Sequence, residues 1–247
     1  MRCVSVCIVQ KEIIMKKVLA TVLTLAMVAS MLTACGNGKS GESEKKSEGV
    51  MTYAEYDAAA LDSEVTIEAY VQAHQSWWDN KITVYAADKD GAYFLYEMAC
   101  SEEDAAKLTP GTKFKAKGYK SEWSGEIEIT DATFEIEEGN YVASPVDVTK
   151  FLGTDDLQKY QNQLVSFKDM TVSAVSYKNN EPGDDIYVNF TKDGNEYYFC
   201  LEYYLNGDDA DFYNMVGSLE VGKVCDVEGF LYWYEGPNPH ITKVTVK

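Results

Sequence analysis

Leu108-Thr109-Pro110-Gly111-Thr112-Lys113-Phe114-Lys115-Ala116-Lys117-Gly118-Tyr119 is a stretch that the chain writes twice. Its second version is Leu219-Glu220-Val221-Gly222-Lys223-Val224-Cys225-Asp226-Val227-Glu228-Gly229-Phe230. Leu, Gly and Gly recur at the same spacing, and an aromatic follows each second glycine. Both copies run into a β-type segment, Ile129-Thr130-Asp131-Ala132-Thr133-Phe134 and Ile241-Thr242-Lys243-Val244-Thr245-Val246. Upstream, each has Lys-Asp-Gly between strand-like runs, Lys89-Asp90-Gly91 and Lys192-Asp193-Gly194. Asp-Gly marks a hairpin, because glycine takes positive φ without steric cost. Two related units follow from this repeat.

The first unit reads as strands at 65–73, 81–87 and 92–98, a short helix opened by Ser101, then strands at 113–119 and 126–136. Acids fill the first turn of that helix, and Pro110-Gly111 ends it. The second unit reads as strands at 164–175, 186–190 and 196–203, a loop from Tyr204 to Asp208, a helix near 209–215, then strands at 223–231 and 240–246. Thr52-Tyr53-Ala54-Glu55 is a capping box ahead of the first unit, and Thr154-Asp155-Asp156 opens a similar short helix ahead of the second. Gly139 to Pro145 reads as the linker. The order β-β-β-α-β-β resembles the OB-fold, a five-stranded Greek-key barrel with its helix between strands three and four. The expected class is mainly β, with two tandem OB-fold-like barrels at 51–142 and 143–247; immunoglobulin-like β-sandwiches are the alternative, which the mid-unit helix opposes.

The N-terminus has a separate meaning. Met15-Lys16-Lys17 is a short basic segment, and Val18 to Met31 is an uncharged apolar run. Leu32-Thr33-Ala34-Cys35 then closely resembles the lipobox of bacterial lipoproteins. That resemblance implies a signal peptide over 1–34, with Met15 as the candidate true start, and diacylglyceryl lipid on Cys35. It also implies attachment to the outer face of the cytoplasmic membrane, or to the outer membrane of a Gram-negative source. An uncleaved transmembrane helix is the plainer alternative, at the lower limit of spanning length. Gly36 to Gly49 has no aliphatic or aromatic residue, so 35–50 is expected to be a disordered tether reaching at most about 50 Å.

Net charge is −18 over 247 residues. Residues 1–34 hold four basic groups and one acid, so the mature part carries −21. Such a surface repels polyanions, which makes nucleic acid a disfavoured partner and carbohydrate or an envelope protein the favoured ones. Among the six cysteines, Cys100, Cys200 and Cys225 read as small buried hydrophobes, with a Cys200–Cys225 bridge as the alternative. No cofactor is expected. The acidic loops at Asp184-Asp185 and Asn206 to Asp211 lack the spacing of a calcium loop and read as solvated, with no metal. His74 and His240 fall in different units, and no nucleophile or phosphate-loop motif occurs, so an enzyme is not expected.

Two surface features remain. Lys113, Lys115 and Lys117 share one strand face, as do Glu126, Glu128 and Thr130 on the next strand. A register that sets Lys117 opposite Glu126 and Lys115 opposite Glu128 pairs every charge, so this stripe reads as a charge-laced outer surface. The second feature is aromatic. Trp77 and Trp78 lie between strands one and two, Trp123 lies between strands four and five, and Trp233 stands at the matching place in the second unit. In OB-folds these loops flank the ligand face. The four tryptophans are therefore the candidate ligand-binding residues, and packing between the two units is their plainer role. For the anchor, Cys35→Ser is expected to abolish metabolic lipid labelling and release the protein or leave it uncleaved. Labelling that persists in this variant would remove the claim.

Overall fold

Alternation of apolar and polar residues builds the first barrel. The computed structural model describes residues 44–206 and 209–247, which fall in one compact unit. The signal segment 1–34, Cys35, the first part of the tether, and Gly207 and Asp208 of the acidic loop lie outside the described residues. A helix α1 (Tyr53–Ala58) precedes strands β1 (Glu64–His74), β2 (Lys81–Ala87) and β3 (Ala92–Ala99). Helix α2 (Glu102–Ala105) leads to β4 (Thr112–Trp123) and β5 (Glu126–Asn140). These five strands close a barrel in the order β1-β2-β3-β5-β4. Its core holds Val65, Ile67, Ala69 and Val71 from β1, with Val84, Leu95, Phe114 and Ile129 across from them.

The second half repeats the circuit. Strand β6 (Val146–Asp147) pairs in parallel with β7 (Leu164–Tyr177), so the residues just after the expected linker form a sixth sheet strand. Then come β8 (Ile186–Lys192), β9 (Asn195–Leu201), helices α3 (Tyr203–Asn206) and α4 (Ala210–Gly217), β10 (Val224–Phe230) and β11 (His240–Val246). The sheet order is β10-β11-β9-β8-β7-β6, with β10 also paired to β7. A core of Val165, Phe167, Val188, Phe190, Phe199 and Val227 fills it. Helix α3 occupies residues read as loop, because Glu202 caps its first turn by accepting from the Tyr204 and Leu205 N–H groups. The helix expected after Thr154 is 3₁₀, over Asp155–Tyr160.

The repeated glycines do the same work in both halves. Gly111 and Gly222 have φ of +94° and +89°. Each sends its N–H back to the first strand of its unit, to Val71 O at 2.7 Å and Val172 O at 2.8 Å. Gly118 and Gly229 sit at register shifts in β4 and β10. A Cβ there would lie 2.7 Å from Thr130 O or 2.3 Å from His240 O, so only glycine allows the neighbouring strand that close.

The tether is shorter than its composition suggests, because residues from Glu44 onward are docked on the first barrel. Lys46 Nζ lies 2.7 Å from Asp88 Oδ2 and 2.9 Å from Glu68 O, with both charged side chains buried. Tyr70 Oη donates to Glu44 Oε1 at 2.6 Å. An apolar residue is not needed to fix a segment that is held by a buried ion pair. Lys46→Met should leave the Asp88 carboxylate buried without its cation and lower unfolding free energy by about 3 kcal/mol in urea titration. A loss below about 0.5 kcal/mol would mean that the docked arm contributes nothing.

Candidate ligand-binding cleft

The site begins at a turn. Ser124 and Gly125 have φ of +52° and +92°, which the two central residues of a type I′ hairpin require. This turn sets Trp123 opposite Glu126, and β4 runs on through Trp123. Lys117 therefore faces Thr133, and Lys115 faces Glu135. The register expected from charge matching is wrong, because turn geometry outranks an exposed ion pair. The stripe is still laced with acids, but by other partners. Lys113 bridges Glu68 at 3.1 Å and Glu137 at 2.8 Å, and Lys117 bridges Glu64 at 3.0 Å.

Glu126 and Glu128 consequently lie on the outer face of the barrel, where the second unit covers them. Glu126 is 0% exposed. Its Oε2 accepts the Trp233 N–H at 2.8 Å and the Gln161 amide at 3.2 Å. Gln161 also donates to Gly125 O at 2.8 Å, and the Asn162 amide donates to Ile127 O at 3.0 Å. Burial pushes the Glu126 carboxyl up to about 8.

Beside this polar patch lies an aromatic one. Tyr85 of β2 stacks on Phe230 of β10, with ring centroids 4.3 Å apart and planes 8° apart. Phe94 meets Tyr232 edge-on at 5.4 Å. Tyr85 Oη is 2.9 Å from His240 Nδ1. Burial lowers the His240 pKa to about 3 and raises that of Tyr85, so a neutral imidazole and a neutral hydroxyl share this hydrogen bond. Ser76 N–H to Tyr204 O and Glu235 N–H to Ser124 O, both 2.8 Å, close the seam at its edges.

Where the two units diverge from this seam they leave a cleft of about 640 Å³. Its walls carry Tyr96 and Trp123 from the first barrel and Tyr187, Tyr232 and Tyr234 from the second unit. Glu128, Asp185 and Glu202 supply carboxyls, and Gln75 and Asn238 supply amides. Trp123 and Tyr234 approach to 5.2 Å across the rim. Burial lifts Glu202 to about 7. Lys178 is held by Asp184 at 3.2 Å and Asp185 at 3.0 Å. A second recess, about 460 Å³ and mostly apolar, lies behind Tyr187, Tyr234 and Asn238. Among the described residues no three His, Cys, Asp or Glu side chains group to hold a metal ion.

The four sequence candidates separate. Trp123, 53% exposed, lines the cleft. Trp78, 79% exposed, stands in the turn before β2 and outside the cleft walls. Trp77 packs against the first core and donates Nε1–H to Cys100 O at 2.9 Å. Trp233 is half-buried over Gly125. Its neighbours Tyr232 and Tyr234 take the cleft, as alternation along an extended segment dictates. Tyr96, Tyr187, Glu128 and Glu202 carried no local signal in the sequence. Cys100, Cys200 and Cys225 are free and buried.

The first half is an OB-like barrel. No protein-family model matches the chain, and no curated protein matches it. Solved structures of similar fold include a murine DNA-binding protein bound to double-stranded DNA, at 11% identity and a TM-score of 0.37, covering 74% of this chain and 96% of that one. A HINa domain in complex with a DNA duplex is similar at 11% identity and 0.35, covering 76% and 96%. A replication protein A heterotrimer bound to single-stranded DNA is similar at 12% identity and 0.30, covering 77% and 51%. The sequence argument that set nucleic acid aside is corrected here. Net charge is a property of the whole surface and does not describe any one cleft, so charge alone does not remove that partner. Likenesses of this degree carry no ligand with them, and this chain's ligand has to be argued from its own cleft.

The seam has a pH signature. Glu126 titrates near 8 folded and 4.5 unfolded, so the folded state holds the extra proton between these values. Its contribution is complete below pH 4.5 and is lost as pH rises through 8. His240 has the opposite sign, with stability complete above 6.5 and lost as pH falls toward 3. Glu126→Gln should raise unfolding free energy at pH 8 by about 3 kcal/mol and change it little at pH 4.5, in urea titrations at the two pH values. An equal effect at both would show that Glu126 does not carry the proton.

Proposed function

We propose that this chain is a lipid-anchored, extracytoplasmic binding module, without catalysis, whose cleft takes a ring-bearing ligand, foremost a carbohydrate. The observation that carries this reading is the gathering of Tyr96, Trp123, Tyr187, Tyr232 and Tyr234 from both halves around one open cleft. Four of these rings are at least two-fifths exposed. Exposed rings that converge cost solvation unless something covers them. The cleft volume is that of a small-molecule site. Carboxyls and amides between the rings suit hydroxyl groups, which donate and accept, while the ring faces suit the apolar faces of sugars. The lipid on Cys35 would hold the module at the membrane.

The second reading is nucleic acid. Exposed Trp123 and Tyr234 can stack bases as readily as sugars.

Titration of the protein with a glycan panel and with single-stranded oligonucleotides separates the two. Oligosaccharides are expected to shift tryptophan fluorescence. Trp123→Ala should weaken that binding about tenfold while leaving stability within about 0.5 kcal/mol. A response to oligonucleotides alone selects the second reading, and silence across both panels sinks the cleft as a site.

A further inference from the structure

Glu128 stands apart among the carboxyls of the cleft. It is 7% exposed, and no hydrogen bond or ion pair from another described side chain reaches its carboxyl. Asp185 is held by Lys178 and the Tyr203 N–H, and Glu202 by two backbone N–H groups. Lys178, the one cation that the described residues place on the cleft walls, is already engaged by two aspartates. Lys115, which could have faced Glu128, stands opposite Glu135 across the β4–β5 ladder instead. Burial alone raises the Glu128 pKa, and its charge is felt by the Tyr96 and Tyr232 hydroxyls. A largely buried acceptor whose only donor is solvent carries a desolvation cost in an empty site. A donor brought by a ligand removes that cost and forms a charge-assisted hydrogen bond.

We propose that the cleft selects an amino sugar with a free primary ammonium, which Glu128 accepts while the rings of Tyr96 and Trp123 cover the sugar. The inference rests on the cleft-binding reading and narrows its ligand. A primary ammonium is required because a quaternary one has no N–H to give. A sugar ring is required because a thin lysine stem would leave the facing rings of a 640 Å³ cleft uncovered. The nearby rings also favour a cation over a neutral amide.

The test titrates the full chain in detergent micelles with a β-1,4-linked glucosamine tetramer, its fully N-acetylated counterpart and a lysine tetrapeptide, read by calorimetry. The glucosamine tetramer should bind about tenfold or more tighter than the acetylated one. Glu128→Gln should remove that preference, and a cooperative urea transition reports that the variant is folded. Glu128→Met gives the same readout if the Gln variant fails to fold. Equal affinities in the native chain, a preference that persists in either variant, or tighter binding of the lysine peptide would overturn the inference and leave the cleft reading standing. No binding of either sugar would overturn both.

Discussion

The stack of Tyr85 on Phe230, closed by the Tyr85–His240 hydrogen bond, is the contact on which the arrangement of the site depends. It joins β2 of the first barrel to β10 and β11 of the second unit, with Tyr85, Phe230 and His240 all buried. Around this apolar centre the polar contacts are local: Gln161 and the Trp233 N–H reach Glu126 Oε2, Gln161 and Asn162 donate to the backbone at Gly125 and Ile127, and Glu126 Oε1 has no partner among the described residues. Fixing the two halves in this way gives the cleft its walls. A hinge here would spread the facing rings of Trp123 and Tyr234 and dissolve the site.

The seam contains two ionisable groups held neutral, and they oppose each other with pH. Glu126 favours the folded state at low pH, and His240 favours it at high pH. Neither could be replaced by a charged form without desolvating that charge against aromatic rings. The same low-dielectric setting continues into the cleft, where Glu128 and Glu202 are also shifted upward by burial. Carboxyls in such surroundings are poor surface solubilisers and good acceptors for a ligand's donors.

The two halves share a frame and differ in ornament. Gly111 and Gly222 make one backbone contact, and Gly118 and Gly229 make another, so the frame is set by positions where a Cβ does not fit. The loops are free to diverge. Trp77-Trp78 is met in the second unit by Tyr177-Lys178, and Ser124-Gly125 by Glu235-Gly236; of these residues the cleft wall takes Lys178. The docked arm from Glu44, by contrast, belongs to the first barrel alone, and it is held by a buried ion pair rather than by apolar residues.

The sequence by itself determined the order of the long strands, the helices after Ser101 and Asp209, the capping box at Thr52 and the repeated glycines, because these follow from alternation, caps and steric limits that act within a few residues. The resemblance of Leu32-Thr33-Ala34-Cys35 to a lipobox is likewise read from linear sequence alone. Only the tertiary structure decided the register of β4 on β5, since a tight turn outweighs the exposed charge pairs that the spacing suggested. That register carried Glu126 and Glu128 from a lysine-faced surface into the seam and the cleft. It also decided which tryptophan faces a ligand, because Trp123 and Tyr234 meet only when two units distant in sequence are pressed together. Burial is a property of that contact, and local spacing could not reveal it.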